Sequence, residues 1–522
     1  MKAFLMYKDR DFDLKQNLPR NEAALVQDLE LETLFAAMAR DDAFIHNVVK
    51  VAILTAAQSS VQELTYRQSI MADCLSNRAV VRDLYALAVE AIEREKKTYW
   101  GLFRDSPDTV LRRSVEVMQI FMDVLKRLRV IADHNSESFR SEGFQTLFGM
   151  LQCELGEDYF SEVNGHLRRL KFNHGVLVSV VLGEANKGVG YVLCREHEDR
   201  RNWLLRLLPR KLGGYTLYLH PRDESGGRIL SHLKECGLAL AARAIGQSAD
   251  HILSFFQMMR TELAFYVGAL NLHEKLAGLG GPTVFPEADE IETSNFVCRE
   301  LYDVCLCLSV GRSVVGNDVD GDGKSLMMIT GANKGGKSTF LRSVGIAQLM
   351  MQSGLFVPAK ACRTSIVDGV YTHYKREEDT TMKSGKFDEE LGRMSALVDN
   401  LTPHAMILFN ESFAATNERE GSEIARQIVC ALLDRGIRVC FVTHLYEFAR
   451  RMDEMNLNRA LFLRAERRDD GTRTFKLIEG VPLDTSFGQD LYSKIFHPSD
   501  TSRGILDAPS PSPRSDAFRE AS

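Results

Sequence analysis

Lys337 and Ser338, at the end of a glycine-rich stretch, are the residues best suited to phosphate chemistry. The stretch from Met327 to Thr339 has the sequence MMITGANKGGKST and meets the pattern G-x-x-x-x-G-K-[ST]. Glycines let the backbone curl so that successive N–H groups face one point, and a helix that starts there adds the positive end of its dipole. In this pattern the lysine contacts the β and γ phosphates, and the serine hydroxyl binds Mg²⁺. The sequence therefore predicts a site for ATP and Mg²⁺, with these nucleotide-binding residues: Gly331, Ala332, Asn333, Lys334, Gly335, Gly336, Lys337, Ser338 and Thr339.

Two further polar residues follow apolar runs that are typical of buried strands. Glu411 comes shortly after the run 405–409, and His444 comes shortly after the run 437–442. A carboxylate at a strand end beside such a turn can polarise the water that attacks the γ-phosphate, and a histidine there can sense that phosphate. Asn410 takes the place of an Mg²⁺-supporting aspartate, and its amide keeps an oxygen acceptor but has no negative charge. We predict Glu411 and His444 as catalytic residues and Asn410, with the serine of the turn, as the metal site; a surface acid and a structural histidine are the alternatives.

The elements that must position these residues change in character along the chain. Up to about residue 160, apolar residues recur every three or four positions, most clearly in a helix predicted at 107–135. A helical pattern returns after residue 226, notably at 252–276. From about residue 295, strands alternate with helices, which predicts a largely parallel sheet covered on both faces. Between the two helical regions, glycine turns separate three predicted strands, at 176–182, 190–194 and 215–219.

Composition limits the class of protein. The net charge of −6 excludes a uniformly basic nucleic-acid coat, so a nucleic-acid contact would need a local basic patch. The ten cysteines include no C-x-x-C pair, which favours reduced structural thiols. The N-terminus has no apolar segment of signal-peptide length, and no window of 18 uninterrupted apolar residues occurs. The sequence therefore predicts a cytoplasmic protein that has no membrane partner.

One window does carry a basic excess. Residues 166–222 contain eleven lysines and arginines against four acidic residues. Such an excess could contact phosphates on DNA, and the alternative is a solvated surface whose charges happen to cluster. The DNA-facing candidates are Arg168, Arg169, Lys171, Arg200, Arg201, Arg210 and Lys211.

Taken together, these motifs resemble the MutS family of DNA mismatch-repair ATPases, in particular its shorter members. The family turn T-G-P-N-M-G-G-K-S-T is similar to residues 330–339, and its F-V-P-A is intact at 356–359. Its D-E-L-G-R-G-T-S-T-x-D-G run corresponds to residues 410–421, and its closing segment to 477–496. Asn317 matches the asparagine of the family's P-N-D element, which adds it to the nucleotide-binding residues.

The resemblance implies a multidomain fold. A helical lever and clamp region with a small β-rich insert would precede a P-loop α/β ATPase domain of ABC-like type. The predicted segments are a helical lever-like region at 1–165, a β-rich clamp-like insert at 166–225, a helical lever return at 226–290, the ATPase domain at 291–497 and a disordered tail at 498–522.

The sequence also departs from the family pattern. We find no amino-terminal mismatch-recognition domain and no G-x-F-Y/F-E motif, so insertion of a phenylalanine at a mismatch is not expected. The family segment that supplies a serine to the ATP of the opposite subunit has Gly385 and Lys386 here. Asn410 in place of aspartate predicts weak Mg²⁺ support and therefore slow ATP hydrolysis.

The resemblance implies an ATP-dependent DNA-binding protein that works as a homodimer in DNA repair. ATP binding and hydrolysis would gate a clamp around duplex, mismatched or branched DNA, among which the residues favour none. The alternative is a nucleotide-binding scaffold that hydrolyses little ATP and engages a protein partner. Asn410, Gly385 and the acidic net charge favour that alternative.

Overall fold

The computed structural model describes residues 1–98, 106–172, 175–194, 218–376, 385–468 and 472–482. The described chain begins with eight helices that account for most of its first third. Their bounds are α1 Glu22–Asp28, α2 Leu31–Ala39, α3 Ala43–Leu54, α4 Val61–Ser76, α5 Arg78–Lys97, α6 Pro107–Asn135, α7 Glu142–Glu154 and α8 Glu157–Arg169.

Helix α6 shows why this region is helical. Ser106 caps its N-terminus by accepting a hydrogen bond from the N–H of Thr109, and Pro107 stands at the first helical position, where its missing N–H costs nothing. Its apolar residues recur at three and four positions and are buried, from Leu111 to Leu128. The helix ends at Asn135, as the sequence pattern predicts.

A hairpin and a very long helix follow. Strands β1 Val178–Leu182 and β2 Gly188–Leu193 pair antiparallel, and α9 runs from Glu224 to Gly278 over 55 residues. The strand predicted at 215–219 lies mostly outside the described residues.

Helix α9 includes the segment predicted at 252–276 and begins close to residue 226, where the sequence pattern predicts that helices resume. Asp223 accepts the N–H of Gly226 and so caps the beginning of the helix. The hairpin crosses α9 at Gly237, where a Cβ atom would lie 2.5 Å from Val178. Only glycine allows this close approach of the hairpin to the helix.

The remainder of the described chain is α/β. The elements are β3 Glu287–Asp289, β4 Phe296–Leu301, α10 Val304–Val310, β5 Asn317–Asp320, β6 Leu326–Gly331, α11 Lys337–Gln352, β7 Ala361–Ser365, β8 Val370–Tyr374, α12 Lys386–Val398, β9 Met406–Asn410, α13 Glu418–Asp434, β10 Arg438–Val442, α14 Tyr446–Glu454, β11 Ala460–Arg467 and β12 Arg473–Glu479.

These strands form two sheets. A six-stranded sheet has the order β12-β11-β6-β10-β9-β8, with parallel pairing throughout except at the edge strand β12. A smaller sheet has the order β3-β7-β4-β5. Because parallel strands share a direction, the carboxyl ends of β6, β9 and β10 meet at one edge of the larger sheet, where the segments that follow them lie side by side.

The amino-terminal helices pack directly on the α/β region. Leu29, in the turn between α1 and α2, is fully buried, and a Cβ atom at Gly345 of α11 would come within 3.0 Å of it. Asp28 forms an ion pair of 2.7 Å with Arg376, which follows β8. One continuous hydrophobic core therefore joins the helical region to one face of the larger sheet. None of the helices in the described ranges is both long enough and apolar enough to cross a membrane.

Candidate nucleotide site

The glycine-rich turn connects the central strand β6 to helix α11. Gly331 and Gly336 have φ of 104° and 90°, and Lys334 has φ of 57°. Gly331 must be glycine for a second reason, because a Cβ atom there would lie 2.9 Å from the backbone nitrogen of Ala465. No side chain caps the N-terminus of α11. The first N–H groups of a helix have no partner within the helix, so this turn and helix end form a place for an anion.

Lys337 closes over the same turn. Its Nζ donates to the carbonyl oxygens of Gly331 and Ala332, each at 3.0 Å, and its side chain is buried. Burial lowers the pKa of Lys337 to about 8, although the nearby carboxylate of Glu411 acts in the opposite direction. The hydrogen-bond acceptors of this buried ammonium are two neutral carbonyls, so a phosphate bound in the turn would neutralise its charge more fully.

Ser338 and Asn410 meet across the edge of the sheet. The Ser338 hydroxyl donates to the Asn410 side-chain oxygen at 2.9 Å. Asn410 is the last residue of β9, and Ser338 lies in the first turn of α11. The two residues predicted as the metal site are therefore neighbours, and both present oxygen atoms, which Mg²⁺ prefers.

Glu411 and His444 form the third contact of this edge. His444 Nε2 lies 2.9 Å from Glu411 Oε1, and both side chains are partly exposed. The N–H of Glu411 donates to the carbonyl of Val442 at the end of β10, and the residue has φ of 55°. The hydrogen bond from His444 lowers the pKa of Glu411, with burial opposing it. Glu411 is thus kept as a carboxylate, the form that can accept a proton from water.

Phe475 completes the surroundings and carries no signal that would single it out in the sequence. The side-chain nitrogen of Asn317 donates to the carbonyl of Phe475 at 3.3 Å, and the N–H of Leu477 donates to the Asn317 side-chain oxygen at 2.7 Å. Phe475 has φ of 60°, lies beside Gly336 and is 49% exposed. Because bulky aromatic residues rarely adopt the left-handed region, this conformation makes Phe475 a candidate for contact with a ligand.

The other predicted residues lie in varied places. Asn333 and Lys334 are exposed on the outside of the turn, whereas Gly335 is buried inside it. Arg168 and Arg169 occupy the last turn of α8 and, like Lys171, are exposed. The remaining DNA-facing candidates lie outside the described residues: Arg200, Arg201, Arg210 and Lys211.

These features define a class: an α/β domain in which a glycine-rich turn joins a central parallel strand to a helix, with a carboxylate at the end of a nearby strand. Comparison with known protein families identifies the family within this class. The MutS2 N-terminal domain model matches residues 59–279, and the MutS domain V model matches residues 327–504. Together the two matches cover most of the chain, which belongs to the MutS-related family.

Individual relatives agree with this assignment. The DNA mismatch repair protein MutS of Chloroflexus aurantiacus is 35% identical over 185 residues, which are 34% of this chain and 19% of that protein. Endonuclease MutS2 of Lacticaseibacillus paracasei is 33% identical over 283 residues, which are 52% of this chain and 34% of that protein. The matched part of the chain thus spans about a fifth to a third of the length of these relatives.

Proposed function

We propose that the chain is an ATP-dependent DNA-binding protein of the MutS type that acts in DNA repair. The observation that carries this proposal is the meeting of three contacts at one sheet edge: Lys337 over the glycine-rich turn, Ser338 with Asn410, and Glu411 with His444. An anion site, two oxygen donors and an ionised carboxylate are the parts that ATP hydrolysis requires. The sheet supplies them from three strand ends.

In this proposal, each residue at the edge has one task. Lys337 exchanges its two carbonyl acceptors for phosphate oxygens, and the N–H groups of the turn hold the remaining phosphate charge. Ser338 and Asn410 would hold Mg²⁺, which neutralises charge on the phosphates when it is bound. Glu411 accepts a proton from the attacking water, and His444 holds Glu411 in place. The reaction converts ATP and water to ADP and phosphate.

Phe475 would contact the nucleotide base. Its half-exposed ring stands beside Gly336, and Asn317 fixes the backbone that carries it. Stacking on an aromatic ring is worth about 1–3 kcal/mol for a nucleic-acid base. Phe475→Ala should therefore weaken ATP binding and leave the affinity for inorganic phosphate nearly unchanged.

DNA binding and dimerisation belong to the same proposal. A relative named a DNA mismatch repair protein supports the DNA partner, and the exposed Arg168, Arg169 and Lys171 offer charges for its phosphates. The family resemblance suggests a homodimer in which the 385–391 segment of a second copy approaches the ATP. ATP binding would then stabilise one of two arrangements of the dimer. Helix α9 would transmit this conformational change to the region of Arg168, Arg169 and Lys171.

A nucleotide-binding scaffold with little hydrolysis is the second candidate. The specific observation that favours it is the neutral Asn410 at the position where a metal would be held. Such a protein would bind ATP, form its dimer and engage a protein partner.

The deciding experiment measures ATP binding and steady-state hydrolysis for wild type, Lys337→Ala and Glu411→Ala. Each is tested with and without duplex, mismatched and branched DNA at two salt concentrations. Lys337→Ala should abolish ATP binding, and Glu411→Ala should keep binding but lose DNA-dependent turnover; Lys360→Ala, an exposed lysine of the same domain, should match wild type. Unchanged ATP affinity in Lys337→Ala would refute the nucleotide site. ATP binding without turnover or DNA affinity would favour the scaffold.

A further inference from the structure

We propose that Glu390 is a positioning residue through which helix α12 controls the loop that carries Glu411; this inference rests on the function proposed above. Glu390 lies on α12 and is 4% exposed. One of its carboxylate oxygens accepts the N–H of Phe413 at 2.6 Å. Phe413 stands two residues after Glu411, so this bond joins the helix directly to the candidate catalytic loop.

The loop after β9 is held in an unusual conformation. Glu411 has φ of 55° and Phe413 has φ of 64°. Bulky residues rarely occupy the left-handed region, and they persist there only where the surroundings fix them. The carboxylate of Glu390 supplies one such constraint. The Phe413 N–H can donate to this carboxylate only when the loop conformation directs the N–H towards α12.

The other constraints come from fixed parts of the domain. Ser412 is buried, its hydroxyl donates to the carbonyl of His373 on β8 at 2.6 Å, and the same oxygen lies 2.8 Å from His373 Nδ1. The Phe413 ring stacks on the His373 ring with centroids 5.5 Å apart. A Cβ atom at Gly421 would meet the carbonyl oxygen of Phe413 at 2.3 Å, so α13 closes the loop from the other side. Strand β8 and helix α13 thus hold the loop on two sides, and Glu390 holds it on the third.

Helix α12 is suited to transmit a change. Glu390 lies at a small cleft near the N-terminal end of this helix, which is also lined by Glu389 and by four cations: Lys375, Arg376, Lys386 and Arg393. An anion that approached this end would compete with Glu390 for Lys375, Lys386 and Arg393, whose charges act on its carboxylate. A shift of α12 would then move the acceptor away from the Phe413 N–H and release Glu411 from its position beside His444.

The test compares Glu390→Ala and Glu390→Gln with wild type by two independent readouts. The first is kcat and KM for ATP. The second is hydrogen exchange of the segment 411–416, measured by mass spectrometry on the full chain without nucleotide. Asp399→Asn, an exposed acid-to-amide change at the other end of α12, serves as the matched control.

Glu390→Ala should lower kcat at least about tenfold while KM stays within about threefold, because a misplaced Glu411 harms the chemical step more than binding. Exchange of the segment should accelerate at least about fivefold, since the Phe413 N–H loses its acceptor. Glu390→Gln should fall between Glu390→Ala and wild type, because its amide oxygen can still accept the N–H. Asp399→Asn should behave as wild type.

Two results would overturn the inference while leaving the proposed function intact. One is wild-type kcat in Glu390→Ala, and the other is unchanged exchange of the segment 411–416 in that variant. A wild-type chain that neither binds nor hydrolyses ATP would instead refute the proposed function, and the inference would fall with it. The wild-type binding measurement separates these cases.

Discussion

Ser338 at the start of α11 donates a hydrogen bond of 2.9 Å to the side-chain oxygen of Asn410 at the end of β9. The two residues are far apart in sequence. The sheet brings them together because β6, which leads through the glycine-rich turn to α11, and β9 end at the same edge. At this place an amide supplies an acceptor without a charge. If this is the proposed Mg²⁺ site, its neutral amide should attract the metal less strongly than a carboxylate would.

Asn410→Asp should strengthen the metal site. The added negative charge should lower the Mg²⁺ concentration needed for ATP hydrolysis about tenfold, which corresponds to about 1.4 kcal/mol. The measurement is the hydrolysis rate as a function of Mg²⁺ at fixed ATP. Asn458→Asp, an exposed position of the same domain, should leave the Mg²⁺ dependence unchanged. An unchanged Mg²⁺ dependence in Asn410→Asp would remove Asn410 from the metal site.

ATP affinity should fall as pH rises through about 8. Burial lowers the pKa of Lys337 to about 8 in the chain without nucleotide, and only the protonated side chain neutralises a phosphate. Above that pH the binding-competent form becomes the minor one, so affinity should decline by up to about tenfold per pH unit. Bound phosphate raises the pKa of Lys337, and binding near pH 8 should take up about half a proton. Calorimetry in buffers of different ionisation enthalpy measures this uptake, and its absence would place another group at the phosphates.

Patterns that are local in sequence predicted much of the fold. The bounds of α6 and, to within one residue, those of β9 follow from capping residues and apolar runs, which act over a few neighbouring positions. The helical pattern from residue 226 agrees with α9, which Asp223 caps at its start, but it does not show that the hairpin packs against Gly237. Local patterns contain no information on which distant segment of the chain packs against a given glycine.

The contacts of the candidate site that the sequence did not predict are all long-range. Asn317 and Phe475 are separated by 158 residues, and Glu390 and Phe413 by 23. No periodicity links such positions, because the contact depends on the order of strands in the sheet and on the loop conformation. The left-handed φ of Phe475 is equally hidden, since that conformation is unusual for an aromatic residue.

Glu262 should make the stability of the protein depend on pH. This carboxylate of α9 is buried and accepts the N–H groups of Leu5 and Phe12, at 2.6 and 3.1 Å. Burial raises its pKa from 4.5 to about 7. Below pH 4.5, Glu262 is protonated in both the folded and the unfolded state. Between pH 4.5 and 7, Glu262 ionises in the unfolded chain but stays protonated in the folded chain. Rising pH should therefore reduce the free energy of unfolding across this window, by about 3 kcal/mol.

The measurement is urea unfolding of wild type, Glu262→Gln and Glu235→Gln at pH 5 and pH 7.5. Glu262→Gln cannot ionise, so its free energy of unfolding should lose less on going to pH 7.5 than that of wild type, whatever its absolute value. Glu235→Gln, a half-buried glutamate on the same helix, should keep the wild-type slope. Equal slopes in all three proteins would show that Glu262 does not titrate differently in the two states.

Arg438 joins the two sheets, and its removal should destabilise the domain. The side chain is buried at the start of β10, and its Nη2 donates to the carbonyl of Ile366 at 2.7 Å. Its Nη1 lies 3.4 Å from the carbonyl of Asn295, which precedes β4, and 3.5 Å from that of Ser365, the last residue of β7. Burial lowers the pKa of Arg438 to about 10, so the charge itself is costly, whereas its guanidinium donates to three carbonyls, two of them in buried residues.

Arg438→Met keeps much of the side-chain volume and removes both the charge and the donors. We expect the loss of hydrogen bonds to outweigh the relief of burying a charge, and the free energy of unfolding to fall by about 2 kcal/mol. Urea unfolding of the variant beside Arg435→Met, an exposed arginine three residues earlier, measures the difference. If Arg438→Met is as stable as wild type or more so, the cost of desolvating the guanidinium exceeds the value of its three carbonyl contacts, and apolar packing alone holds the sheets together.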